Sequence, residues 1–191
     1  MPPSIRITRD AIISGAVDLV RKQGIDELTT RSLAKQLNCS TQPIFSNFPN
    51  MESLKKIVFD KAYELYAERT FASMQSGKYP PYKASGMAYI EFAVEEPQLF
   101  KLLYMRDRTG KEKNDDTAES EKIIAVMRER NGLSYDQARQ LHTVLWVLVH
   151  GLAVMYATGF QEYKAEEASE ILTDAYLGLL GRFQNKEGVV K

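Results

Sequence analysis

The sequence predicts an all-α protein, a small helical head on a larger helical body. Three observations carry this prediction. Apolar residues recur at spacings of three and four along nearly the whole chain. Alternating strand patterns are scarce, and no Asn-Gly or Asp-Gly pair stands between such runs to mark a hairpin. Capping residues, glycines and prolines punctuate the helical runs where starts and stops belong. About nine helices are expected, with a head over residues 1–50 and a body over 51–191.

The first helix is expected over residues 9–23, with Thr8 as its N-cap, Gly24 past its end, and Ile12, Ala16, Leu19 and Val20 as its apolar stripe. Thr29 caps a short helix carrying Leu33, Ala34 and Leu37, and Asn38 suits a left-handed turn. Ser40 is expected to cap a third short helix holding Ile44, Phe45 and Phe48, which Pro49 ends. A long fourth helix follows over residues 51–75, with Leu54, Val58, Ala62, Leu65 and Tyr66 on its apolar side. Gly77, Pro80 and Pro81 break the chain before a fifth helix over residues 83–95. Pro97 opens a sixth, with Leu99, Phe100, Leu102 and Leu103. Eight of the eleven residues 106–116 are charged, which reads as a loop. A seventh helix ends at Gly132, and Ser134 with Gln137 forms a capping box for the eighth. The ninth, over residues 165–184, turns Ile171, Leu172, Ala175, Tyr176, Leu179, Leu180 and Phe183 to one wide face. The tail after residue 185 is expected to be loose.

Composition narrows the function. The 191 residues are 44% hydrophobic and 26% charged, which excludes collagen, disordered and disulfide-scaffold classes. The opening residues lack a signal-peptide pattern, and the single Cys39 can form no intrachain bridge, so a cytoplasmic location is expected. Residues 143–157 are nearly all apolar, but the run is short of the ~20 residues of a span and contains His150. His142 and His150 lie about 12 Å apart along one helix, too far to share a metal or a proton. Glu95 and Glu96 point to different faces, and the glycines form no phosphate loop. No enzyme activity, cofactor or metal is therefore expected.

Zero net charge argues against nucleic acid at first sight. It is a cancellation: residues 1–60 hold 8 basic and 6 acidic residues, and residues 61–191 hold 17 and 19. In the slightly basic head, residues 28–54 have a helix-turn-helix layout. Ala34 permits close approach, Asn38 makes the turn, and Ile44 locks the second helix to the first. Thr41, Gln42, Ser46 and Asn47 are polar groups suited to base edges, and Pro43 offers an apolar contact. Arg31 can reach guanine or phosphate, and backbone amides near Thr29, Thr30 and Arg31 and near Ser40, Thr41 and Gln42 can meet phosphates. The alternative is a plain helical hairpin, in a helical adaptor or enzyme without DNA binding.

Residues 8–58 resemble the DNA-binding head of the TetR family of bacterial transcriptional repressors. The matching elements are Gly24, Thr29, Leu33-Ala34, Asn38-Cys39-Ser40, Ile44-Phe45-Ser46-Asn47-Phe48 and Met51-Glu52-Ser53-Leu54. Phe45 departs from the family's usual Tyr, Asn47 from His or Tyr, and Met51 from a phosphate-binding Lys, for which Lys55 or Lys56 could compensate. The resemblance implies a homodimer on a pseudo-palindromic operator, and a body that binds an effector. The segment Trp146-Val147-Leu148-Val149-His150-Gly151 is similar to a Trp-x-x-x-His-Gly element of one subgroup.

Within that body, the eighth and ninth helices are too apolar for a free surface. Pairing across a two-fold axis would bury them in a four-helix bundle, through Gly151, Ile171, Ala175, Gly178 and Leu179, with Gly181 also permitting close approach. Phe92, Phe100, Tyr104, Trp146, His150, Met155 and Tyr156 are the candidate walls of a pocket for a small, largely apolar ligand.

Overall fold

A computed structural model describes residues 7–106 and 116–185, the first four residues of the second segment by backbone alone. The charged loop expected over residues 106–116 lies outside the described residues except for its two ends, and so does the tail. Among the described residues the fold is all-helical. The helices are α1 (Arg9–Gln23), α2 (Thr30–Gln36), α3 (Gln42–Asn47), α4 (Met51–Gln75), α5 (Pro81–Glu95), α6 (Pro97–Tyr104), α7 (Asp116–Asn131), α8 (Tyr135–Ala157) and α9 (Ala165–Asn185), with one 3-10 turn at Ile25–Glu27.

Local chemistry sets most of these boundaries. The Thr8 hydroxyl accepts from the Ala11 amide, and Gly24 ends α1 at φ +90°. Thr29 and Ser32 form a reciprocal capping box on α2, as Ser134 and Gln137 do on α8. Asn38 is the one described non-glycine residue with positive φ, at +50°, as the turn requires. One expected cap is wrong. Thr41, not Ser40, precedes α3, and its side chain makes no capping bond. Pro43 in the first turn lacks an N–H, so one fewer orphan donor needs a partner. Pro81 likewise starts α5 two residues before the expected Lys83.

The head core is made by Ile12, Ala16, Leu19 and Val20 of α1 with Leu33, Ala34, Ile44 and Phe48, all buried. It runs on without a break into Leu54, Val58 and Ala62 of α4 and then into α5, α6 and α8. A smaller second core lies at the far end of the body, around Ile124, Met127, Leu133, Leu141, Leu145 and Phe183. Tyr82 meets His142 and Tyr89 meets His150, so α5 and α8 run side by side in the same direction. At 23 residues, α8 is long and apolar enough to cross a membrane by length and composition. Here it is a central body helix, packed on α5, α7 and α9.

Candidate nucleic-acid interface

The head is positioned by close approaches that only small side chains allow. A Cβ on Gly15 would stand 2.7 Å from Leu37 Cδ2, so the glycine lets the end of α2 lie directly on α1. The Gln36 side-chain amide donates to the Gly15 carbonyl at 2.7 Å and ties the same contact. The Cys39 amide donates to the Ala34 carbonyl at 3.0 Å across the turn. Phe48 seals the other end of α3, with the Arg9 guanidinium 5.2 Å from its ring centre.

This frame leaves one face of α3 outward. Gln42, Phe45 and Ser46 are exposed, Phe45 by 60%, while Ile44 and Phe48 are buried. Phe45, at the position of the Tyr usual in the resemblance, therefore stands on the same outward face as Gln42 and Ser46. Thr41, Pro43 and Asn47 are half-buried at the rim. The Asn47 amide donates to the Pro43 carbonyl at 2.7 Å, so part of its fork is used within its own helix. Ser46 spends its hydroxyl on the Gln42 carbonyl at 2.9 Å. Arg31 and Ser40 are exposed and Thr30 half-buried, all beside this face in sequence. The capping box already occupies the Thr29 and Ser32 amides, so of the three α2 amides expected to meet phosphates that of Thr29 is already bonded. Lys55 is paired with Glu52 at 3.2 Å, and Met51 is half-buried against the core.

In the body, five of the expected ligand residues come together, Trp146 at the edge, and two do not. Phe92, Phe100, Tyr104 and His150 join one cluster of rings, completed by Tyr66 and Tyr89, which the sequence reading did not include among ligand residues. Tyr89 packs on Tyr104 with ring centres 4.7 Å apart, and Tyr66 packs on Phe92 at 5.4 Å and Tyr104 at 5.6 Å. Burial, then the neighbouring Tyr66 and Tyr89, hold the Tyr104 phenol well above its ordinary range. Trp146 is 55% exposed and stacks flat on His150 at 5.5 Å, at the solvent edge of the cluster. Tyr156 packs edge-on against Tyr163 instead, and Met155 is half-buried. A surface groove of about 420 Å³ between α4 and α5 is lined by Arg69, Ala72, Ala88, Glu91, Phe92 and Glu95, sharing only Phe92 with the expected set.

The expected pairing residues also divide. Gly151 and Gly178 are exposed, and a Cβ at either, or at Gly181, would meet nothing within 4 Å. Ile171, Ala175 and Leu179 are half-buried and pack against the chain's own two cores. The exposed large hydrophobic residues on these two helices are Tyr135, Val144, Trp146, Val147 and Leu177.

Residues 12–56 match the family model described as bacterial regulatory proteins, tetR family, and residues 82–176 match the tetracyclin repressor-like C-terminal domain. The chain belongs to the TetR family. It is a DNA-binding transcriptional regulator and not an enzyme. No curated protein matches the sequence of this regulator. Solved structures share its fold at low identity. A TetR-like transcriptional regulator from Rhodococcus sp. RHA1 is 15% identical, with a TM-score of 0.68 over 95% of this chain and 99% of the other. A TetR variant from Acinetobacter baumannii AYE in complex with minocycline is 15% identical, with a TM-score of 0.58 over 93% and 97%. The multidrug binding protein EbrR, complexed with imidazole, is 20% identical, with a TM-score of 0.55 over 87% and 88%.

Proposed function

We propose that this regulator is a cytoplasmic homodimeric repressor, with a head at residues 1–50 and a body at 51–191, released from a pseudo-palindromic operator by a small, largely apolar ligand. The observation that carries this reading is the placement of Tyr66. It lies on α4, whose first residue follows the recognition helix by four positions, and its ring stands in the cluster with Tyr89, Phe92 and Tyr104. A ligand that opens those rings acts on the helix that carries the head. The likeness in fold to a TetR variant complexed with minocycline and to a multidrug binding protein complexed with imidazole supports a chain that admits small molecules.

Base contacts fall to Gln42, Thr41, Ser46, Pro43, Phe45 and Asn47, and phosphate contacts to Thr30, Arg31, Ser40 and Lys55. Two such heads read half-sites about one helical turn apart, ~35 Å. Dimerisation uses the open glycine faces of α8 and α9 with Val144, Val147 and Leu177 around them. The ligand need favour the released state by only ~1–3 kcal/mol for a useful response.

The test is a shift assay of the purified protein on the DNA upstream of its own gene, followed by a panel of apolar aromatic compounds. Retarded DNA that is freed by a member of the panel is expected. Absence of any shift by the folded protein would overturn the reading.

A further inference from the structure

Glu96 is the buried charged residue among the described residues, 6% exposed. Its backbone joins α5 to α6: its amide donates to the Phe92 carbonyl at 2.9 Å, and its carbonyl accepts from the Phe100 amide at 2.8 Å. Its carboxylate is held from two sides. Oε2 accepts from Arg21 Nε on α1 at 2.7 Å, and Oε1 accepts from Arg69 Nη2 on α4 at 3.1 Å. Arg69 also donates from Nη1 to Glu95 Oε2 at 2.7 Å, and its guanidinium lies 5.7 Å from the Phe92 ring centre. Arg21 makes a second, exposed pair with Asp18 at 3.3 Å.

Two helices, α1 and α4, thus meet the α5–α6 junction at one carboxylate. One of them, α1, carries the head core through the neighbouring Leu19 and Val20. The seam is close at a second point, because a Cβ on Gly24 would stand 3.1 Å from Gln98 Oε1. Apolar side chains could hold such a seam as firmly. Charge-assisted bonds to two guanidinium groups add direction, since each fixes both a distance and an angle.

We propose that Glu96 is a positioning residue for DNA reading. By accepting from Arg21 and Arg69 at once, it fixes the orientation of α1 on the body, and with it the separation at which two heads present their recognition helices. The proposal rests on the two-headed reading above.

The test uses the full-length protein on a site selected from random duplex DNA, with one base pair then inserted between the half-sites. The wild type is expected to lose about tenfold in affinity on insertion, whereas Glu96→Gln and Arg21→Met lose less than about twofold, a difference of about fivefold or more and so within the usual range of coupling between sites. Asp18→Asn, which breaks only the outer pair, should keep the wild-type profile. Arg21 is partly exposed, so Arg21→Met serves if Glu96→Gln does not fold. Variants as selective for spacing as the wild type would overturn the positioning role alone. A wild type indifferent to spacing would overturn the two-headed reading, and the positioning role with it.

Discussion

The Tyr89 hydroxyl stands 2.8 Å from Nδ1 of His150, inside the ring cluster that joins α4, α5, α6 and α8. The contact repeats one register away, where the Tyr82 hydroxyl is 3.1 Å from Nδ1 of His142. Two tyrosines seven apart on α5 therefore match two histidines eight apart on α8. Tyr89→Phe removes the hydroxyl with little change of shape. It should cost about 1 kcal/mol, and so lower the melting temperature by ~2–4 °C in a chain of this size. An unchanged melting temperature would show that the bond contributes nothing net.

His142 gives a pH prediction. Burial holds its imidazole below the ordinary histidine value. Well above pH ~6.5 the group is neutral whether the chain is folded or not, and the shift has no effect. As the pH falls through that value, the unfolded chain takes up the proton first, and the folded state loses stability until the folded histidine also protonates. His142→Gln should therefore show a smaller drop in urea midpoint between about pH 7.5 and 5.5 than the wild type. Equal drops would place the pH sensitivity elsewhere.

On α3, Gln42 is exposed whereas the Asn47 amide donates to its own helix. Gln42→Ala should lose ~1–3 kcal/mol of discrimination at one base pair, while Asn47→Ala loses less. Fluorescence anisotropy on operator and single-base variants measures both. The reverse order would mean that Asn47 turns outward on DNA.

Met51→Lys should restore a cation at the start of α4 and tighten binding at every sequence. The slope of log affinity against log salt should steepen by about 1.8 for the dimer, one phosphate contact per head at about 0.9 each on duplex DNA. A constant slope would show that position 51 faces away from the backbone.

Val147 is 57% exposed on α8, one turn before Gly151 and on the same side of the helix. Val147→Glu should convert the dimer to monomer, because two buried carboxylates would face each other without a partner. Light scattering is expected to give about twice the chain mass for the wild type and about the chain mass for the variant. A variant that stays dimeric would move the interface off this face.

What the sequence makes legible here is mostly local. Thr8, Thr29 and Ser134 can be read as caps because each bonds an amide three residues away. Asn38 and Gly24 are read from backbone freedom alone. Ser40 is misjudged as the cap of α3 because Pro43 leaves one fewer amide for a side-chain cap to bond, and Thr41 precedes the helix without one. The ring cluster is harder to see. Tyr66 and Tyr89 look like ordinary apolar-face residues until four helices fix which faces meet. The seven-against-eight match of Tyr82 and Tyr89 with His142 and His150 was the available signal. The role of Glu96 has no sequence signature, because its partners lie 75 and 27 residues away.

The 25 residues of α4 give one more consequence, a matter of leverage. At the usual helical rise such a rod is ~37 Å long, so tilting one end by ~5° swings the other through ~3 Å. Successive base pairs are separated by ~3.4 Å. A pivot too small to disturb the packing of the body is therefore enough to carry a recognition helix a whole step along the duplex.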